Sequence, residues 1–81
     1  MIVDYDSVFE RRVKKIKNQL DKIKVKKQII RIIQKPEIGK PMRYSRKGTR
    51  EVYVSPFRLS YIYYPNEKKI VFLDLYHKNK Q

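Results

Sequence analysis

The sequence predicts a single α+β domain over residues 1–81, with an N-terminal helical hairpin packed on one face of a three- to four-stranded antiparallel sheet. Three observations lead there. Apolar residues recur at helical spacing as far as Ile33 and at alternating positions from Val52 onward. A loop punctuated by Pro36, Gly39 and Pro41 separates the two regimes. A chain of 81 residues has material for one core, not two.

Met1 to Tyr5 is a brief apolar run suited to a short edge strand. Ser7 followed by Glu10 reads as a capping box, in which hydroxyl and carboxylate each satisfy an unpaired amide of a helix start. Phe9, Val13, Ile16 and Leu20 then form one helical stripe, with Arg11, Arg12, Lys14, Lys15 and Lys17 filling the other positions. Around Asp21 and Lys22 the phase breaks. A second run carries Ile23, Val25, Ile29, Ile30, Ile32 and Ile33 and stops at Lys35-Pro36. Two helices joined by a tight connection are the simplest reading, and one long bent helix is the alternative.

Beyond the loop, Lys47-Gly48 offers a turn, and Val52 and Val54 alternate with Glu51 and Tyr53. Phe57, Leu59, Tyr61 and Tyr63 alternate with Arg58, Ser60 and Ile62, and Pro65-Asn66-Glu67-Lys68 makes a hairpin turn. The last strand, Ile70 to Tyr76, is expected to turn Val71, Leu73 and Leu75 to one face. Val52, Leu59, Tyr61, Leu73 and Leu75 are then the residues expected to bury against the helices. The opposite face shows Glu51, Tyr53, Arg58, Ser60, Asp74, Tyr76 and Lys78. Such a sheet is covered on one side only.

Charge narrows the function classes. Lys and Arg number 21 against 8 Asp and Glu, a formal net charge of +13. A field of that sign attracts polyanions, so nucleic acid is the leading partner. An acidic protein comes second and an anionic membrane surface third. No run of 18 apolar residues forms a transmembrane helix, and the N-terminus has no secretory signal pattern, so a cytoplasmic address is expected. The absence of cysteine excludes disulfides, thiolate zinc sites and a thiol nucleophile, and the single histidine argues against a metal cage. No cofactor is implied.

Arg58 is the sharpest candidate. Mid-strand, with a parity that points it away from the core, it is a rigidly held fork for a phosphate. The competing reading is an ion pair with Glu51 or Asp74 on an ordinary exposed sheet. Arg43, Arg46, Lys47 and Arg50 form a second cationic group suited to RNA affinity through counterion release, or simply a solvated charge run. Lys14, Lys15, Lys24, Lys26 and Lys27 read as the polar faces of amphipathic helices. Tyr53 and Tyr76, on the open face by parity, are candidates to stack a base, although packing is the commoner use of a tyrosine. Tyr61 and Tyr63 are expected in the core with their hydroxyls at the rim. His77, just past the last strand, is by itself an ordinary polar surface residue.

From Lys35 to Lys78 the sequence resembles the RelE/ParE toxin superfamily. The resemblance rests on Pro36…Gly39-Lys40-Pro41, on Arg50-Glu51-Val52-Tyr53-Val54, on Phe57-Arg58-Leu59-Ser60-Tyr61 and on Val71-Phe72-Leu73-Asp74-Leu75-Tyr76-His77-Lys78. It implies the helix–helix–sheet order and a toxin of a type II toxin–antitoxin system. In the ribonuclease members the arginine of the aromatic-Arg motif contacts the scissile phosphate, a role that falls to Arg58, with Arg50 in support. The implied reaction is metal-independent cleavage of mRNA on the ribosome, inhibiting translation, with the substrate's 2′-hydroxyl as nucleophile. His77, matching the Tyr-His pair that ends the YoeB-like branch, is the first candidate for general acid, and Lys78 the second. Glu51 is the candidate base. Strict alternation puts Lys78, not His77, on the face of Arg58, so the strand end must twist for His77 to join.

There are departures. Glu51 and Tyr53 stand where RelE has lysines, Met42 stands near the glutamate of the YoeB-like branch, and the tyrosine that many relatives carry beyond the basic pair is missing. These leave open a ParE-like toxin that poisons DNA gyrase without cutting RNA, and a catalytically degenerate nucleic-acid-binding module. The resemblance also implies an acidic, RelB-like antitoxin as partner, besides the ribosome and its mRNA.

Overall fold

A computed structural model describes residues 1–44 and 48–78. Among them the chain forms β1 (Ile2–Tyr5), α1 (Ser7–Lys14), α2 (Gln19–Gln34), β2 (Lys40–Pro41), β3 (Thr49–Val54), β4 (Phe57–Tyr64) and β5 (Lys69–His77). The strands make one sheet in the order β1-β5-β4-β3-β2. β2–β3, β3–β4 and β4–β5 are antiparallel, while β1 runs parallel to β5. The sheet is therefore mixed and larger than the three or four antiparallel strands expected. β1 is the short edge strand anticipated at Met1 to Tyr5, though paired in parallel, and β2, two residues long, is too brief to carry an alternating pattern.

The helices begin where side chains take up their first amides. Asp6, not Ser7, caps α1: its Oδ1 accepts from Val8 N at 2.8 Å, and Ser7 is the first helical residue. Asn18 caps α2, its Oδ1 accepting from Leu20 N at 2.8 Å and Asp21 N at 3.2 Å. Each cap is worth about 1 kcal/mol. The chain thus leaves the first helix after Lys14, earlier than the break expected at Asp21, and Leu20 belongs to α2. There it is 69% exposed, and Ile23 and Ile30 also face solvent, while Val25 and Ile32 are buried. The helices do not form a tight hairpin on one another: α1 lies on β5, and α2 reaches β3.

One core joins the helices to the covered face of the sheet. Phe9, Ile16, Val25 and Ile32 meet Val54, Leu59, Tyr61, Ile70, Phe72 and Leu75. At its centre Phe72 stacks on Tyr5 (5.4 Å between centroids), tilts against Phe9 (5.4 Å) and touches Tyr61 (6.1 Å). Val52 is only half-buried, and Tyr63 packs against the core margin. β5 departs from the expected pattern: Ile70 and Phe72 point inward in place of Val71 and Leu73, yet Leu75 also points inward. The cause is a bulge. Ser60 pairs with Asp74 but Tyr61 pairs with Phe72, so Leu73 is the extra residue and the parity of β5 changes at that point. Asp74 Oδ1 accepts from the next amide, Leu75 N, at 2.7 Å, and meets Arg12 Nε of α1 at 3.2 Å.

A second fixed point joins the loop after α2 to the sheet. The Tyr61 hydroxyl donates to Pro36 O at 2.6 Å and accepts from Gly39 N at 2.9 Å. A β-carbon on Gly39 would sit 2.6 Å from that hydroxyl and 2.9 Å from Arg50 Cβ, so only glycine lets the loop approach. Burial raises the Tyr61 pKa above 10.0, against smaller opposing effects from the Gly39 amide and Arg50. The sign follows. Above the ordinary tyrosine value the unfolded chain ionises first, so the stability contributed by Tyr61 is complete below that value and is lost as pH rises through the folded pKa. Tyr61→Phe is expected to cost about 1–3 kcal/mol at neutral pH. Urea unfolding should show the gap to wild type narrowing as pH rises above the ordinary tyrosine value; an unchanged gap contradicts the assignment. Gly39→Ala is expected to cost about 1–3 kcal/mol by overpacking.

Candidate nucleic-acid interface

The uncovered sheet face is built by register. β4 is the central strand, and Arg58 on it lies opposite Tyr53 of β3 and Tyr76 of β5. The next row is Glu51, Ser60 and Asp74. Leu59 between the two rows is fully buried against the helices, which fixes both rows on the other face.

Arg58 is partly exposed and makes loose contacts. Its Nη1 lies 3.8 Å from Glu51 Oε1, well beyond the 2.7–2.9 Å of a strong charge-assisted bond. Its Cζ sits 5.9 Å from the centre of the Tyr53 ring, within cation–π range. Among the described residues its Nε has no hydrogen-bond partner, although that atom is buried. Lys78 reaches the same place: its Nζ lies 5.3 Å from the Tyr53 ring centre, and its backbone N donates to Pro56 O at 3.0 Å. Two cations thus converge on one aromatic ring.

Beneath them Glu51 is buried, its side chain 4% exposed, although it stands on the face without helices. Neighbouring side chains cover it. Tyr76 donates its hydroxyl hydrogen to Glu51 Oε2, spanning from one sheet row to the next. Asp74 is drawn to Arg12 and the Leu75 amide. The arrangement combines a cationic rim able to bind a phosphate, an aromatic platform able to stack a base, and an acceptor below them able to hold a proton.

The structure separates the other sequence candidates from this cluster. Arg50 lies opposite Tyr61 on the helical side, where its Nη1 donates to Glu37 O at 3.1 Å and Gly39 O at 2.9 Å. It fastens the loop and does not support Arg58. His77 lies opposite Phe57, its ring edge-on to the Phe57 ring at 5.9 Å, and lines a helical-side cleft with Arg12, Ile16 and Asn18. The strand end does not twist far enough to bring it to Arg58. Arg43 is exposed in the loop after β2, and Arg46 and Lys47 lie outside the described residues. What the sequence did not reveal is the burial of Glu51 and its bond from Tyr76, because alternation assigns a face but not the cover that neighbours provide.

A half-covered mixed sheet carrying two helices on one side and a cationic cluster on the other is a RelE-like fold, which the chain shares with solved toxin structures. The toxin–antitoxin complex RelBE2 of Mycobacterium tuberculosis contains a chain similar to it at a TM-score of 0.81 and 22% identity, covering 95% of this chain and 96% of that one. The YoeB/ParE toxin of Agrobacterium tumefaciens is similar at 0.83 and 11%, covering 95% and 98%. YafQ of Escherichia coli is similar at 0.76 and 25%, covering 95% and 92%. No protein-family profile matches the sequence, and no curated protein does.

If Arg58 and Lys78 form an anion site, inorganic phosphate should stabilise the fold by linkage, about 1.4 kcal/mol at ten times its dissociation constant. Thermal melts in increasing phosphate should show a smaller shift for Arg58→Ala and Lys78→Ala than for wild type or His77→Ala. Equal shifts in all four would contradict the site.

Proposed function

We propose that this chain is the toxin of a toxin–antitoxin pair and that its uncovered sheet face binds and cleaves mRNA on the ribosome. The observation that carries the reading is Arg58: a guanidinium on the central strand with a buried Nε that has no protein partner among the described residues. A phosphate oxygen would satisfy that donor, and the developing charge of a phosphorane would strengthen the interaction in the transition state. Attack by the 2′-hydroxyl gives a 2′,3′-cyclic phosphate and a free 5′-hydroxyl. Lys78, beside Arg58 over the Tyr53 ring, is the acid for the leaving oxygen. His77, on the other face, is not assigned a part. The ribosome would supply alignment of the mRNA, and orientation can account for much of a barrier, roughly 7–11 kcal/mol in the best intramolecular cases.

The partner would be an antitoxin, as in the RelBE2 toxin–antitoxin complex, and an acidic one to complement the net charge of +13. Exposed Leu20, Ile23 and Ile30 on α2, with Lys24, Lys27 and Arg31 among them, offer such a protein apolar anchors inside a cationic border. A second reading, a gyrase-poisoning toxin, is favoured by Glu51, which already meets part of the Arg58 charge.

Mapping mRNA 5′ ends on programmed ribosomes tests the first reading. Wild type should cut, Arg58→Ala should cut about 10²–10³-fold more slowly, and His77→Ala should stay close to wild type. Intact mRNA together with inhibited DNA supercoiling would select the second reading.

A further inference from the structure

The cluster contains a carboxylate that a substrate hydroxyl cannot reach and a phenol that it can. Glu51 is buried, with Oε1 facing Arg58 and Oε2 accepting from Tyr76. Tyr76 is only half-buried and belongs to the same cross-strand row as Arg58. With its hydrogen given to Glu51, the Tyr76 oxygen meets any further partner as an acceptor. A phenol alone is a weak base. A phenol whose proton is taken by a carboxylate as it accepts another acts with the strength of the carboxylate.

We infer that Tyr76 is the catalytic group that accepts the 2′-hydroxyl proton, relaying its own proton to Glu51. This rests on the ribonuclease reading above and supplies the base that reading lacks. The 2′-hydroxyl proton passes to Tyr76 Oη while the Tyr76 proton passes to Glu51 Oε2. The electron pair left on the 2′-oxygen forms the bond to phosphorus, and the bond from phosphorus to the 5′-oxygen breaks. The 5′-oxygen keeps that electron pair and takes a proton from the Lys78 ammonium. Arg58 stays charged throughout, bonded to the phosphorane oxygens. Transfer of the Glu51 proton back through Tyr76 to solvent, and reprotonation of Lys78, restore the site.

The relay gives a use to the carboxylate that stands next to Arg58 and Lys78. Placed at the surface, Glu51 would repel RNA. Buried under Tyr76 and beside Arg58, its charge is shielded. Its distance from Arg58, 3.8 Å, is long enough for a phosphate to compete for the guanidinium.

Single-turnover cleavage of ribosome-bound mRNA tests the inference, with ribosome binding measured in parallel. Tyr76→Phe keeps the ring and removes the hydroxyl, and is expected to slow cleavage about 10²–10³-fold at unchanged binding. Glu51→Gln should slow it to a similar extent. The double variant should be little slower than either single one, because the two residues act as a unit. Melting curves establish that each variant is folded. Wild-type cleavage by folded Tyr76→Phe, or by folded Glu51→Gln, overturns the relay. If Arg58→Ala is then still inactive, the nuclease reading stands without it. If wild type cuts nothing, both fall.

Discussion

One extra residue in β5 is the constraint on which the rest of the molecule depends. Ile70 and Phe72 must enter the core to meet β1 and α1, and Leu75 must enter it opposite Leu59. Strict alternation allows one of these sets, not both, because a one-residue slip sends every following side chain to the other face. The bulge at Leu73 reconciles them. It also sets Asp74 and Tyr76 in line with Ser60 and Arg58, so the same local irregularity completes the core on one side and the polar cluster on the other. The Asp74 carboxylate holds the bulge through the Leu75 amide and ties it to Arg12 of α1, which links the short helix to the register of the functional face.

Two arginines show how position decides function. Arg50 and Arg58 lie on adjacent strands and have identical chemistry. Arg50 points to the helical side, where the carbonyls of Glu37 and Gly39 take up its donors and the Tyr61 hydroxyl fixes the same loop. Arg58 points to the uncovered side, where its contacts among the described residues are a distant carboxylate and the face of a tyrosine ring. A buried donor left without a partner costs about 1–3 kcal/mol. A ligand that meets it recovers that energy, so the fold is less than optimally satisfied at the place where an anion would bind.

Much of this face was legible beforehand. Alternation placed Glu51, Tyr53, Arg58, Ser60, Asp74 and Tyr76 together, and the ordered motifs around Arg58 pointed to the superfamily whose fold the chain has. Alternation also set His77 against Arg58, and the register agrees with that simple parity over the role its motif suggested. Other features left weaker traces. The bulge reversed the inward set over Val71 and Leu73, and nothing in an apolar run marks where the extra residue falls. The helix boundary was displaced because Leu20 happened to continue the stripe of α1. Asn18, a good cap, was the sign of a new start. Parallel pairing of β1 arises from tertiary contacts of Tyr5 with Phe72 and Phe9, which a four-residue strand cannot announce.

The central claim is that Arg58 meets an RNA phosphate from the uncovered face. Its most direct test is the Nε–Hε resonance of Arg58 in nitrogen-15 NMR spectra recorded while a non-cleavable ribo-oligonucleotide is added. That resonance should shift and become protected from solvent exchange as RNA binds, with the Arg50 resonance unmoved. A titration in which RNA binds, Arg58 stays unchanged and the resonances that respond belong to the helical side would contradict it.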